Sequence, residues 1–388
     1  MAVNNSNYQR NSNISLVARS IWKHKTISRV DLSRELGLYR STVTNIISFL
    51  LENGIVQEGE AVSSSAHSGR KAITLSLNKG FGCIAGFDIQ PSHMRAVILS
   101  IDGSVIWKIS TALESENLID MIDESINLAL CEQKKAGIPL LAMSFSFPGV
   151  INSAKGIISY SWPFRCSGID VKAYAEEKYG IPVYVENDAN AAAWYDINSD
   201  NIMSGDNALS VVADYHNEDS DVGIGVGFAT IINDGVYHGS HHAAGEFVSL
   251  SWKAGMDNQS GLSSDILRNP SSDEAAWKMW MKDTFLSLIP LISVMDYSKI
   301  ILHGLPFSDS RKVFEFFSEE LEDFLAILEK TGCELIIDTH QGFVSAHGAA
   351  LRAIQMMFRI PSLDEESASF ENHWEKIVDL SVKQRDNN

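Results

Sequence analysis

Twice within the first 52 residues, apolar side chains recur at helical spacing, and between the two repeats lies a short segment with a helix cap at one end and a glycine at the other. Ile14, Val17, Ala18, Ile21 and Trp22 share one face from about Asn13 to Lys25. Ser28, with Asp31 three residues on, forms a weak capping box that opens a short helix to about Leu36, and Gly37-Leu38 breaks it. Val43, Ile46, Ile47, Leu50 and Leu51 repeat the spacing in a third helix from about Ser41 to Glu52, ended by Asn53-Gly54. The period then changes. Ile55-Val56-Gln57 reads as a strand, and after a small polar loop Ile73, Leu75 and Leu77 alternate as a second one. Three short helices with a glycine turn before the third, followed by a hairpin, predict a winged helix-turn-helix over residues 1–80.

The third helix buries Val43, Ile46 and Leu50, which leaves Arg40, Ser41, Thr42, Thr44 and Asn45 on its opposite face near the N-terminus. Short or forked hydrogen-bonding side chains at a helix end suit base edges and phosphates in a major groove. The wing tip reads Ser68-Gly69-Arg70-Lys71, where Arg70 and Lys71 would meet a minor groove or phosphates. Charge is distributed to match. Net charge is −18 for the whole chain, yet residues 1–80 hold ten Lys/Arg against five Asp/Glu, a surplus of five, so the remainder carries −23. A three-helix interaction or dimerisation module is the alternative for this segment.

No stretch is apolar enough for a membrane span, and the N-terminus lacks an apolar signal core, which predicts a cytoplasmic protein. Cys83, Cys131, Cys166 and Cys333 lie far apart, which argues against a chelating cluster and fits a reducing compartment. Beyond residue 80, strand-like runs such as Ile181–Val185 and Ile300–Leu302 alternate with helical patterns, which predicts an α/β body with βαβ layering. The first run leads into Glu186-Asn187-Asp188, placing polar groups at the carboxyl end of a buried strand, where open α/β sheets bind ligands.

Four stretches of this body resemble the ROK family of bacterial sugar kinases and sugar-responsive repressors. They are F-D-I-Q-P-S (87–92) with the turn Asp102-Gly103, S-F-P-G-V (146–150), V-E-N-D-A-N-A-A-A (185–193), and G-I-G-V-G-F-A-T-I-I-N-D-G (223–235) running into A-A-G-E (243–246). K-I-I-L-H-G (299–304) and G-A-A-L-R-A (348–353) fit its closing elements, and residues 26–45 with S-G-R-K (68–71) look like the DNA-binding module of its repressor branch. The resemblance implies an actin-like fold of sugar-kinase type with two lobes, over 81–198 and 199–360, a C-terminal helix returning to the first lobe, and a tail over 361–388. It implies a sugar pocket of Gly149, Asn187, Asp188 and Glu246, with Asp188 at the place of the catalytic base. Asn187 and Asp188 merely capping the next helix is the bland alternative.

The departures point away from catalysis. Ser249 stands where the family has a zinc-binding His, and residues 251–256 contain no Cys, so no metal is expected. Gln90 replaces a glycine of the first phosphate loop, and Asp221-Val222 replace the Gly-Thr of the second. Glu218, Asp219 and Asp221 add negative charge there, and one like charge at roughly 4 Å costs roughly 4 kcal/mol at an effective dielectric of about 20. The expectation is a repressor of carbohydrate-related genes with no cofactor, binding double-stranded operator DNA and a sugar or sugar derivative as a homodimer or dimer of dimers, away from membranes, with Asp188 vestigial as a base. A sugar kinase with an attached DNA-binding module is the second reading, and a regulator answering to a protein partner is the third. Trp252, Trp277 and Trp280 are expected in the core, and the tail as a helix that docks or frays.

Overall fold

The computed structural model describes residues 6–62, 72–91, 93–199, 202–215, 223–256, 258–268, 270–338, 342–360 and 372–386. The head comprises α1 (Ser6–His24), β1 (Ile27–Ser28), α2 (Arg29–Leu36), α3 (Arg40–Glu52), β2 (Val56–Val62) and β3 (Ala72–Leu77), with its strands ordered β1-β3-β2. Helix α2 starts where the capping pattern placed it: Ser28 Oγ accepts from the Asp31 N–H at 3.2 Å and donates to the Asp31 carboxylate at 2.6 Å. Helix α3 buries Val43, Ile46, Ile47 and Leu50, each contributing about 1.5–3 kcal/mol. Helix α1 begins seven residues before the expected Asn13. Its first turns have no apolar period, and tertiary contacts hold them: Asn11 Oδ1 accepts from the Trp374 N–H at 3.2 Å, and Arg10 pairs with Glu375 at 2.6 Å.

Two five-stranded sheets form the body, and they share one topology. The first contains β4 (Cys83–Ile89), β5 (His93–Ser100), β6 (Val105–Ala112), β7 (Leu140–Phe147) and β11 (Val183–Asn187), ordered β11-β7-β4-β5-β6. The second contains β12 (Ala208–Tyr215), β13 (Ile224–Ile232), β14 (Gly235–Val236), β15 (Lys299–His303) and β16 (Glu334–Ile337), ordered β14-β13-β12-β15-β16. In each lobe the first three strands run antiparallel and the last two add in parallel to the first. A small sheet of β8 (Val150–Asn152), β9 (Ile157–Ser161) and β10 (Cys166–Asp170) flanks the first lobe, with α4 (Leu118–Ala136) and α5 (Val171–Tyr179). The second lobe adds α7 (Ser264–Arg268), α8 (Glu274–Met295), α9 (Ser310–Glu320) and α10 (Glu322–Thr331).

The fifth strand of each lobe leads into a helix that crosses to the other sheet. Helix α6 (Asp188–Ile197) packs on β12 and β13, whereas α11 (Val344–Met357) packs on β4, β5 and β7. The two helices cross in close contact at Gly348, where a β-carbon would lie 1.7 Å from the Ala191 carbonyl oxygen, so no side chain fits there. Because α6 begins at Asp188, the lobe crossing and the candidate pocket share one helix.

The tail docks rather than frays. Helix α12 (His373–Asp386) lies against α1 and the first lobe: Trp374 Nε1 donates to Ser15 Oγ at 3.0 Å, and Gln384 exchanges two hydrogen bonds with the Leu140 backbone at 2.6 Å each. Trp374 stacks on Phe358, which contacts Trp22, so Ile14, Ile21 and Leu50 of the head share one core with Ile84, Ile354 and Phe358 of the body. Trp277 and Trp280 are buried in the second lobe, but Trp252 is 37% exposed; its segment has no strand or helix to fold it inward.

Candidate functional site

The carboxyl ends of β7 and β11 and the start of α6 lie where the two lobes face each other, Arg95 of β5 pairing with Asp214 of β12 across a junction termed here the interlobe cleft. Gly149, just beyond β7, takes φ 116°, and a β-carbon there would lie 2.5 Å from the Tyr160 carbonyl oxygen, so the turn requires glycine. Its carbonyl accepts from the Asn187 amide at 3.1 Å, and Asn187 Oδ1 accepts from the Asn190 N–H at 3.0 Å. Asn187 therefore caps α6 and braces the Gly149 loop at once, leaving one amide hydrogen and one lone pair for a ligand. Asp188 accepts from the Ala189 N–H at 2.9 Å and from Gln90 Nε2 at 3.3 Å. Burial, then the neighbouring Asp88 charge, push its carboxyl up to about 7 against those two hydrogen bonds, with Glu246 adding to the rise. A carboxyl poised near neutrality can accept or donate a hydrogen bond to a hydroxyl. Glu246 is exposed at the rim.

Glu186, which the sequence places at the strand end without a role of its own, organises this cleft. Glu186 is fully buried, and five groups converge on it: Arg352 Nε at 3.2 Å, His238 Nε2 at 3.0 Å, Ser153 Oγ at 2.6 Å, the Asn187 N–H at 3.0 Å and Asn190 Nδ2 at 3.4 Å. Burial raises its carboxyl, but Arg352, then His238 and Ser153, outweigh that and hold it at about 2. One carboxylate thus ties β11 to α11 and to the loop after β14, so both lobes meet on it. Its place beside Asn187-Asp188 was the available signal, since a Glu ending a buried strand needs a partner.

At the β4–β5 hairpin, protein side chains lie beside Asp188. Gln90 is buried and donates to both Asp88, at 3.0 Å, and Asp188. Arg95 pairs with Asp88 at 3.4 Å and, across the cleft, with Asp214 of the second lobe at 2.6 Å. Asp221, Val222, Glu218 and Asp219 lie outside the described residues. Near the other end of α6, His303 sits buried between Asp196 and Asp338, at 3.0 Å from each. Burial opposes its charge, but Asp196 first and Asp338 second raise it to about 9. The zinc position does not fit a metal: Ser249 Oγ shares a hydrogen bond with Ser251 Oγ at 2.8 Å, and residues 247–262 include neither His nor Cys.

On the head, Arg40, Ser41, Thr44 and Asn45 are exposed and Thr42 is half-buried, all at the N-terminal end of α3. Among the described residues, Arg40, Ser41 and Asn45 make no side-chain hydrogen bond, whereas Thr44 Oγ1 donates to the Arg40 carbonyl at 2.8 Å. Tyr39, at the helix N-cap, is 84% exposed. Arg70 and Lys71 lie outside the described residues.

Residues 85–248 match the ROK family model, and residues 19–57 match a winged helix-turn-helix DNA-binding model. The chain carries a ROK-family domain and a winged helix-turn-helix head. Curated relatives of the chain include a putative xylose repressor of Caldicellulosiruptor sp., 29% identical over 60% of this chain and 56% of that protein, and the xylose repressor of Bacillus subtilis, 28% identical over 63% and 62%. The alignments therefore span about three-fifths of the length of these relatives. Among solved structures, a ROK family transcriptional regulator described as a homologue of the E. coli Mlc protein superposes with a TM-score of 0.70 at 15% identity, over 96% of this chain and 100% of that one, a likeness of fold across head and body together. No described helix is long and apolar enough to cross a membrane.

Proposed function

We propose that this ROK chain is a DNA-binding transcriptional repressor of carbohydrate-related genes, whose interlobe cleft binds a sugar or sugar derivative and transfers no phosphoryl group. The observation that carries the reading is the occupied phosphate hairpin. Gln90 and Arg95 fill and neutralise the space a nucleotide phosphate would need, while Asp188 and Asn187 keep capacity for hydroxyls. A phosphate cradle requires free backbone amides beside glycines. Here a carboxamide and a guanidinium are committed to Asp88, Asp188 and Asp214. The relatives' names favour repressors over kinases and make D-xylose the first sugar to test.

The mechanism follows from shared parts. A sugar bound at Asp188 contacts the first turn of α6, the helix that crosses between lobes. A ligand that favours one lobe arrangement shifts that equilibrium. The first lobe shares its core with the head, so its movement alters how two heads in a homodimer, or in a dimer of dimers, meet their half-sites. Gly149, Asn187, Asp188 and Glu246 form the sugar pocket in this reading. Arg40, Ser41, Thr42, Thr44 and Asn45, with Arg70 and Lys71 of the wing, face the duplex.

Gel-shift with DNA upstream of the chain's own operon, with and without D-xylose and a panel of other sugars, tests the reading. Specific retention that one sugar alters, with no sugar-dependent ATP hydrolysis in a coupled assay, is the expected result. Turnover of ATP with any sugar would return the kinase reading, and the absence of specific retention at low salt would remove the repressor.

A further inference from the structure

Where the head meets the first lobe, a cavity of about 220 Å³ opens between the end of α1, the base of the wing and the turn after β5. One water needs only about 10–15 Å³, so this is not a site for a single bridging molecule. Trp22, Lys25, Gln57, Ser76, Lys79 and Asp102 border it.

Its chemistry is unbalanced. Trp22 is buried, and its indole N–H has no acceptor among the described residues. A β-carbon placed on Gly103 would lie 3.8 Å from Trp22 Nε1 and 3.9 Å from Lys25 Nζ, so both donors border the same turn. Lys25 Nζ donates to the Asp102 carbonyl at 2.9 Å and faces the Trp22 ring at 5.7 Å. Lys79 Nζ pairs with the Asp102 carboxylate at 3.4 Å. Two ammonium groups thus face one carboxylate, which already accepts from the Ser104 N–H and hydroxyl, while the indole N–H has no acceptor among the described residues. Lys25 also holds its backbone at φ 60°, a conformation that costs a non-glycine residue about 1–2 kcal/mol. Strain of that kind gathers where a side chain must be aimed. Burial lowers the Lys25 ammonium first, with the Asp102 charge opposing and Lys79 adding to the fall, the state an anion would relieve.

We propose that this cavity is a binding site for the phosphate monoester of a small metabolite, separate from the interlobe cleft. A dianion answers the two ammonium groups, and three terminal oxygens on a tetrahedron suit three donors arriving from different elements better than a planar carboxylate does. Gln57 donates to Ser76 Oγ at 3.4 Å on the cavity's border, and in this proposal the pair meets the ester's hydroxyls. The binding claim stands apart from the repressor reading. If that reading holds, occupancy would strut the head against the lobe and give the chain a second input.

Calorimetric titration of the full chain with inorganic phosphate and with glycerol 3-phosphate, using glycerol as the neutral control, tests the site. Saturable binding of both phosphates at one per chain, and none of glycerol, is expected. Lys25→Met combined with Lys79→Met should weaken it at least tenfold, whereas Asp188→Asn in the cleft should leave it unchanged. The indole N–H resonance of Trp22, assigned through Trp22→Phe, should shift on saturation, which tests the site in the unaltered chain if the double variant misfolds. Absence of saturable heat, a folded lysine variant that binds like the parent, a motionless Trp22 resonance, or loss of binding in Asp188→Asn would each overturn the proposal.

Discussion

The tip of α3 and the floor of the interlobe cleft are both polar, and they treat their polar groups in opposite ways. At the tip, Arg40, Ser41 and Asn45 are exposed and make no side-chain hydrogen bond among the described residues. In the cleft, Glu186 is fully buried with five partners, and Gln90 and Arg95 each bridge two carboxylates. A surface that spends nothing on internal partners has its hydrogen-bonding capacity available to another molecule. A buried network spends that capacity on geometry, leaving one or two groups, such as Asp188, to act. Substitutions should therefore separate the regions cleanly: in the cleft they change folding first, and at the tip they change only recognition.

The strongest test of that contrast is Glu186→Ala. It leaves Arg352 without its buried carboxylate and removes the common point of β11, α11 and the loop after β14. Breaking a buried ion pair by removing one partner costs about 3–5 kcal/mol. Denaturant unfolding of the variant should show a loss of that size. A change under about 1 kcal/mol would mean that the network is not what holds the lobes. His303→Leu belongs to the same class, since it removes the cation that the buried Asp196 and Asp338 share. The His303 contribution is complete below its ordinary value of 6.5 and is lost as pH rises through about 9.

Asp188→Asn is the next step down, and it separates the acting group from its frame. Removing a charged hydrogen-bond partner costs about 1.5–3 kcal/mol, or roughly 10- to 100-fold in sugar affinity by titration. The pH dependence has a definite sign. An acid raised from 3.8 to about 7 on folding loses its proton first in the unfolded chain. Stability therefore falls as pH climbs between those values and is flat above them. Asn keeps the acceptor for the Ala189 N–H and carries no charge, so the variant's gain in Tm over the parent should grow from pH 4 to 7 and then hold constant. A gain independent of pH would place the raised acid elsewhere.

How much of this was open to inspection in the chain itself depends on how local each feature is. The tip of α3 was legible because helix period, cap and glycine turn all lie within 25 residues, and Ser28 caps α2 as its pattern says. The Gly149–Asn187–Asp188 group was legible through short motifs at strand ends, although Asn187 also turned out to be the helix cap. The Glu186 network was not, because His238 is 52 residues further along and Arg352 comes from the closing helix. The early start of α1 and the docking of α12 escaped for a related reason. Polar residues such as Asn11 and Gln384 show no period, and only their partners 363 and 244 residues away give them a place. Gln90 read as a lost glycine, and only the fold shows what the larger side chain gains by bridging Asp88 and Asp188.

At the tip the effects should be smaller and confined to binding. Arg40→Ala removes an exposed side chain with no hydrogen-bond partner among the described residues, so stability should stay within the about 0.5 kcal/mol usual for surface changes. Affinity for operator DNA should fall by about 1–3 kcal/mol if the guanidinium reads a base, with relaxed preference at one position. A variant that binds like the parent would remove Arg40 from the interface and leave the tip's exposure without a partner.

The smallest effect tests whether the head holds any of its charge in reserve. Arg29, the first residue of α2, pairs with Glu58 of β2 at 2.7 Å, and both side chains are partly exposed. Such a pair contributes about 0–1 kcal/mol, so Glu58→Gln should scarcely move the unfolding midpoint. Binding should respond in the opposite direction to every other substitution here. Freed from its carboxylate, Arg29 becomes available to a phosphate while one repulsive charge leaves the head. Affinity for any duplex should therefore rise, and the dependence of log affinity on log salt should steepen by about one counterion. If the slope is unchanged, Arg29 does not reach the backbone, and the contrast between a free tip and a tied cleft applies to α3 alone rather than to the whole face of the head.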